Sequence, residues 1–142
     1  MQLTLKKAKI RMISYFSWYE FDKAVEHIAN KCKFLEFSGI YGVPRGGLCL
    51  AVALSHKLKI NLISEPAKNS LIVDDIYETV VTLNTFKNIE GAMFFVLFSK
   101  IKPTWWNTVF LSKKNQWIVF PWENTLNSKS DREEYFKKRG LS

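Results

Sequence analysis

Asp74 and Asp75 stand side by side after the apolar run Leu71-Ile72-Val73, and the chain continues Ile76-Tyr77-Glu78-Thr79-Val80-Val81-Thr82. Adjacent carboxylates repel each other unless a cation or a ligand rich in donors lies between them. A ribose supplies two hydroxyl donors, and Mg²⁺ supplies charge. Glu78 adds a third carboxylate, and Thr79 and Thr82 bring hydroxyls to a turn that enters a helix. The free N–H groups and the dipole of a helix start favour a phosphate there. One loop would thus hold hydroxyls at one end and a phosphate at the other.

Two further groups of residues could share that chemistry. Gly42-Val43-Pro44-Arg45-Gly46-Gly47 follows one strand pattern and precedes a helical one. Glycines let backbone amides approach anionic oxygens closely, and an arginine adds a fixed charge with a forked donor set. Lys100 ends the apolar run Phe95-Val96-Leu97-Phe98-Ser99, and Trp117-Ile118 opens a later one that closes on Pro121-Trp122-Glu123. A lysine and a tryptophan can form a donor and a stacking surface for a flat heterocycle; equally, they can be a solvated charge and a core residue.

The elements that must position these groups are readable from periodicity. Ser17 caps a helix with Glu20 in the capping-box position, and Phe21, Ala24, Val25, Ile28 and Ala29 give its apolar stripe to about Lys31. Phe37 to Val43 reads as a strand, Leu48 to Leu58 as a helix, and Ile60 to Ile63 as a short strand. Ser64 to Ser70 is a loop with Pro66 inside it. Leu71 to Val73 and Met93 to Phe98 are wholly apolar, as strands buried in a parallel sheet are. Thr82 to Asn88 is expected to be helical, Val109 to Leu111 and Trp117 to Phe120 to be strands split by a turn over Ser112 to Gln116, and Asp131 to Arg139 to be a terminal helix. Strands alternating with helices predict an α/β domain with a mainly parallel central sheet. Ligands of such sheets bind beyond the carboxyl ends of the strands, which points to the loops after Val43, Ile63, Val73 and Phe98.

The bulk properties narrow the field. A chain of 142 residues with 47% apolar and 15% aromatic content suits one folded domain, 1–142, and not a disordered chain. No apolar run reaches membrane-spanning or signal-peptide length, so a cytoplasmic location is expected. Cys32 and Cys49 form no CxxC pair, and His27 and His56 are isolated, so neither type suggests a metal site. The net charge of +8 favours anionic ligands. The basic residues are scattered along the chain, which leaves a nucleic-acid role as the weakest of three readings.

The stretch from Leu71 to Thr82 resembles the phosphoribosyl diphosphate (PRPP) signature of the type I phosphoribosyltransferases: an apolar strand, two acids, two spacers, an acid, Thr, Gly, any residue and Thr. Glu78 stands where Asp is usual, and Val80 where Gly is usual; a β-branched residue resists positive φ and blocks close backbone approach. Gly42 to Gly47 looks like the family's diphosphate loop, with Pro44 in place of a small polar residue. The Ser17-Trp18 helix start, Lys100, Trp117-Ile118 and Pro121-Trp122-Glu123 are similar to the bacterial xanthine–guanine branch. The likeness runs in order from about Ile13 to Glu123.

That resemblance implies the type I phosphoribosyltransferase fold with a small C-terminal hood over the base. It implies Mg²⁺-dependent transfer of a phosphoribosyl group from PRPP to a 6-oxopurine. Arg45, Gly46 and Gly47 would hold the diphosphate, and Asp74 and Asp75 the ribose hydroxyls and the metal's water shell. Glu78 would lie near the purine N7 as proton acceptor, and Thr79, Val80, Val81 and Thr82 would cradle the 5-phosphate. Lys100 would donate to the 6-oxo group, Trp117 would stack on the ring, and Ile118 would offer its backbone to the base edge. The expected partners are PRPP, a purine base and a second copy in a homodimer, without nucleic acid or membrane. Relatives carry a long mobile loop ahead of the acidic pair, whereas Asn61 to Ser70 is short. A non-catalytic sensor of PRPP or of a nucleotide is therefore the alternative reading.

Overall fold

A computed structural model of the chain describes residues 12–77 and 80–123, with the side chains of all of these but 80–83. The expected terminal helix over Asp131 to Arg139 lies outside the described residues, as do Glu78 and Thr79. The elements run β1 (Met12–Tyr15), α1 (Trp18–Cys32), β2 (Ile40–Gly42), α2 (Leu48–Leu58), β3 (Leu71–Tyr77), α3 (Val80–Lys87), β4 (Met93–Ser99), β5 (Asn107–Leu111) and β6 (Gln116–Val119). Chain contacts divide them into two compact units, Asp22–Lys114 and a smaller one made of Met1–Phe21 with Asn115–Ser142.

The larger unit is built on a four-stranded sheet in the order β2-β3-β4-β5, and each pairing in it is parallel. Parallel neighbours need a crossover, and α2 and α3 provide two of them. Their strands are buried on both faces, so they read as unbroken apolar runs: Leu71, Ile72, Val73, Val96 and Leu97 are fully buried. Each such side chain contributes about 1.5–3 kcal/mol by leaving water. From α2, Leu50, Ala51 and Leu54 are buried, and Ala51 presses so closely on β2 that a Cβ on Gly42 would lie 2.7 Å from its methyl group. A second cluster joins Ile72, Phe94 and Val96 of the sheet to Tyr77 and Trp106, with Tyr41, Phe86 and Trp105 packed against it.

The connection from β4 to β5 contains no helix. Trp105 and Trp106 lie in it, and Trp105 packs against Phe94. Trp106 stacks flat on Tyr77, ring centroids 3.8 Å apart and 2° from parallel, and its Nε1–H donates to Ser99 Oγ at 3.1 Å. Ser99 Oγ–H in turn donates to the Ile101 carbonyl, so both buried polar groups are satisfied.

In the smaller unit β1 and β6 pair in parallel, Met12 with Gln116 through Tyr15 with Val119. Phe16, Phe21, Trp18, Phe120 and Trp122 form an aromatic cluster in which Phe16, Phe21 and Phe120 are buried and Trp18 is exposed, with the Phe120 and Trp122 rings stacked at 4.9 Å. The capping box at the start of α1 is present: Glu20 N–H donates to Ser17 Oγ at 3.1 Å, and Ser17 N–H donates to Glu20 Oε1 at 3.2 Å. The boundary between the two units falls within α1, between Phe21 and Asp22.

Several elements differ from the sequence expectation. Ile60 to Ile63 makes a single bridge, Ile40 with Leu62, and no strand. The β2 strand is confined to Ile40–Gly42, and β3 continues past Val73 to Tyr77, so Asp74 and Asp75 are strand residues. Their backbones are held by β4, with Asp74 opposite Val96 and Ile76 opposite Phe98. The α3 helix starts two residues earlier than the periodicity suggests, at Val80.

Candidate functional site

The carboxyl ends of β2 and β3 meet at a turn. After β2, Val43 N–H donates to the Val73 carbonyl at 2.9 Å, and Gly47 N–H donates back to the Val43 carbonyl at 2.8 Å. Leu48 N–H donates to the Arg45 carbonyl at 3.2 Å, which closes the turn onto α2. The Pro44–Arg45 peptide inside it is cis.

Both glycines are fixed by contact. A Cβ on Gly47 would lie 2.5 Å from the Val73 carbonyl oxygen and 2.8 Å from Val43 N. A Cβ on Gly46 would collide with Asp75 Oδ2 and lie 2.5 Å from its Cγ. The turn between Val43 and Gly47 therefore rests directly on the acidic pair, and the two groups that the sequence separates by a helix share one place. Gly47 caps α2 with no side-chain hydrogen bond, and the first turn of that helix holds no acid. The positive end of that helix's dipole lies beside the turn and favours an anion. Arg45 is exposed at the tip of the turn.

Asp74 and Asp75 are half-buried. Asp75 N–H donates to Asp74 Oδ1 at 2.8 Å, and Ile76 N–H donates to Asp75 Oδ1 at 2.8 Å. These bonds tie each carboxylate to the backbone N–H that follows it. Cys49, in the first turn of α2, feels that charge: burial, and after it the Asp75 carboxylate, push its thiol above the ordinary range. Sequence reasoning treats Cys49 as an ordinary thiol. Its place two residues after the Gly46-Gly47 pair was the only signal that it borders the site.

The remaining expected residues are placed as follows. Val80, Val81 and Thr82 form the first turn of α3, directly after β3 and the two residues outside the description. Lys100 follows β4; its N–H donates to the Tyr77 carbonyl at 2.9 Å, and its Nζ lies 3.4 Å from the Lys114 carbonyl. It is thus tied to the end of the same strand that carries the acids. Trp117 and Ile118 belong to β6 in the smaller unit, Trp117 half-buried and Ile118 buried. The segment from Asn61 to Ser70 lies at the opposite end of the sheet. Ile40 N–H donates to the Asn61 carbonyl, Ile63 N–H to the Ile40 carbonyl and Ser38 N–H to the Asn69 carbonyl, each at 2.9 Å. These bonds hold it at the start of β2 and β3, away from Arg45 and Asp75.

No family profile and no curated protein matches the sequence. Solved structures do match the fold. A purine phosphoribosyltransferase from Pyrococcus horikoshii Ot3 superposes with a TM-score of 0.66 at 29% identity, over 79% of this chain and 94% of that one. The chain has the fold of the type I phosphoribosyltransferases. A xanthine-guanine-hypoxanthine phosphoribosyltransferase from Helicobacter pylori superposes with a TM-score of 0.61 at 18% identity, over 84% of this chain and 99% of that one. A hypothetical protein from Neisseria gonorrhoeae with bound ppGpp does so with a TM-score of 0.63 at 16% identity, over 85% and 94%. In this phosphoribosyltransferase fold the parallel sheet and its flanking helices stand as the sequence predicts, and the Arg45 turn and the acidic pair sit where ligands of parallel sheets bind.

Two carboxylates and backbone amides form an all-oxygen and N–H environment. Among the described residues no group of three or more His, Cys, Asp or Glu side chains could hold a metal by itself. That set suits Mg²⁺, which binds through one or two carboxylates, its own waters and substrate phosphates.

Proposed function

We propose that this protein is a purine phosphoribosyltransferase that joins a 6-oxopurine to PRPP, giving a nucleoside monophosphate and diphosphate. The contact between Gly46 and the Asp75 carboxylate carries this reading, because it brings a cationic, amide-rich turn and a hydroxyl-binding acid pair to one place. In this reading Arg45 and the Gly46 amide bind the departing diphosphate, while Gly47, its N–H given to the Val43 carbonyl, holds the turn in place; charge develops on the diphosphate oxygens as the C1–O bond breaks. Asp74 and Asp75 orient the ribose through its hydroxyls. Asp75 and Asp74 would hold Mg²⁺, which would supply positive charge to the diphosphate. Glu78 takes the proton from the attacking purine, and Thr79 to Thr82 bind the 5-phosphate at the start of α3. Lys100, in the larger unit, donates to the 6-oxo group of the base. The purine phosphoribosyltransferase named above supports the choice of a purine.

A second reading, a nucleotide- or PRPP-binding protein without turnover, draws on one observation: the segment before β3 is fastened at the far end of the sheet and supplies no cover for Asp75. Closed covers exclude water and strengthen electrostatic contacts. One experiment separates the two. The protein is incubated with Mg²⁺, PRPP and guanine, xanthine, hypoxanthine, adenine or uracil, and products are resolved by chromatography. A purine monophosphate is expected. PRPP binding by calorimetry without product would favour the second reading, and neither binding nor product would remove both.

A further inference from the structure

The larger unit has a second end. A helix that crosses between parallel strands runs against them, so the C-terminus of α2 lies where β2 and β3 begin, opposite the acidic pair; the short connection from α1 to β2 reaches the same end, where Ser38 N–H donates to the Asn69 carbonyl at 2.9 Å. Lys31 lies in the last turn of α1 and Lys57 in that of α2, and Lys33 and Lys59 follow directly. The helix dipole accounts for Lys31 and Lys57. It does not account for Lys59, which occupies the left-handed C-cap position with φ 57°, where glycine or asparagine fits without strain. Nor does it account for the residues beside Lys33. Phe34 is 88% exposed and Leu35 45%, on a turn closed by Leu35 N–H donating to the Cys32 carbonyl. The Lys33 ammonium stands over the Phe34 ring, 5.0 Å from its centre. Leu62, 49% exposed, lies on the segment bridged to Ile40 at the same end. Glu36 and Glu65 are the opposing charges there, while Glu90 is paired to Lys68 at 3.3 Å.

We infer that this end of the protein docks on an anionic lipid bilayer, with Phe34 and Leu35 entering the headgroup layer and the surrounding lysines facing acidic headgroups. An apolar tip ringed by lysines is the pattern of an interfacial anchor. A single-stranded nucleic acid would call for a groove of stacking rings, and here one aromatic ring projects alone. The fold contributes to this surface: Lys31 and Lys33 lie at the end of α1, and Lys57 and Lys59 at the end of α2. Docking in this orientation leaves the Arg45 turn and Asp75 facing water, so it is independent of what that site does.

The test is co-sedimentation of the full chain with phosphatidylcholine vesicles, with and without phosphatidylserine. Binding is expected only when phosphatidylserine is present, weakening as salt is added. Phe34→Ser, a change at an exposed side chain, is expected to lower the partition coefficient about tenfold. Each of Lys33→Glu and Lys59→Glu is expected to lower it at least about fivefold. Lys102→Glu, the same charge reversal at the opposite end of β4, should change it less than about twofold. Equal losses for Lys102→Glu and Lys33→Glu would show a response to net charge and overturn the proposal. So would wild-type binding by Phe34→Ser, no binding to phosphatidylserine vesicles, or binding of RNA through the same lysines without vesicle binding.

Discussion

Alanine at Gly46 and alanine at Gly47 should fail in different ways. Neither glycine has a positive φ, so the backbone tolerates alanine at both. At Gly46 the new methyl group meets the Asp75 carboxylate, a side-chain end that can turn aside. Turning gives up the 2.8 Å bond from Ile76 N–H, worth about 1.5–3 kcal/mol because the acceptor is charged. Loss of glycine's freedom in the unfolded chain returns about 0.4–1 kcal/mol. The net cost is about 1–2 kcal/mol, a fall in Tm of roughly 3–6 °C for a domain of this size. At Gly47 the methyl group meets the Val73 carbonyl and Val43 N, which are backbone. Relief there means parting the turn from β3, so the cost reaches or exceeds the upper end of the roughly 1–3 kcal/mol of ordinary overpacking. Thermal unfolding followed by circular dichroism ranks the two variants, and calorimetric titration with Mg²⁺ and PRPP reads the site. Gly46→Ala should remain folded and bind PRPP at least about tenfold more weakly, the loss of one charged contact. Wild-type PRPP affinity in Gly46→Ala, or a larger stability loss there than in Gly47→Ala, would refute the argument.

Other variants probe neighbouring features. Asp75→Asn should fold, lose most Mg²⁺-dependent turnover, and lower the Cys49 thiol pKa by removing the carboxylate that helps raise it; faster Cys49 alkylation at fixed pH checks the last point. Trp106→Ala should cost about 3–5 kcal/mol in urea unfolding, through the lost stack on Tyr77, whereas Trp106→Phe should cost only about 1–2 kcal/mol, mainly for the bond to Ser99. Burial raises the Cys32 thiol above its ordinary value, so the unfolded chain ionises first. The resulting stability is complete below about pH 8.5 and is lost as pH rises through the folded value. Cys32→Ala should lose less Tm than the parent between neutral and strongly alkaline pH.

Local rules carried much of this fold. The Ser17–Glu20 capping box and the helix Leu48–Leu58 stand as periodicity and capping chemistry dictate, because both are decided within one or two turns of chain. The apolar runs at Leu71 and Met93 mark buried parallel strands for the same reason. The end of β3 was hidden: two aspartates look like a loop, yet pairing with β4 carries them to Tyr77, a tertiary effect that propensity does not contain. The Trp105-Trp106 pair gave no hint that Trp106 stacks on Tyr77, a partner distant in sequence. At the site, residue types named the chemistry, whereas the close approach of Gly46 to Asp75 depends on how β2 and β3 are paired.

The flat contact between Tyr77 and Trp106 also gives the protein an optical signal. At 3.8 Å, light absorbed by the phenol passes to the indole, so this tyrosine should emit almost nothing of its own. Tyr77 is the last residue of β3 and precedes Glu78 in the sequence, so a ligand that displaced that turn would shift one ring against the other. Events at the sugar end of the site should therefore register as a change in native emission, without an attached dye.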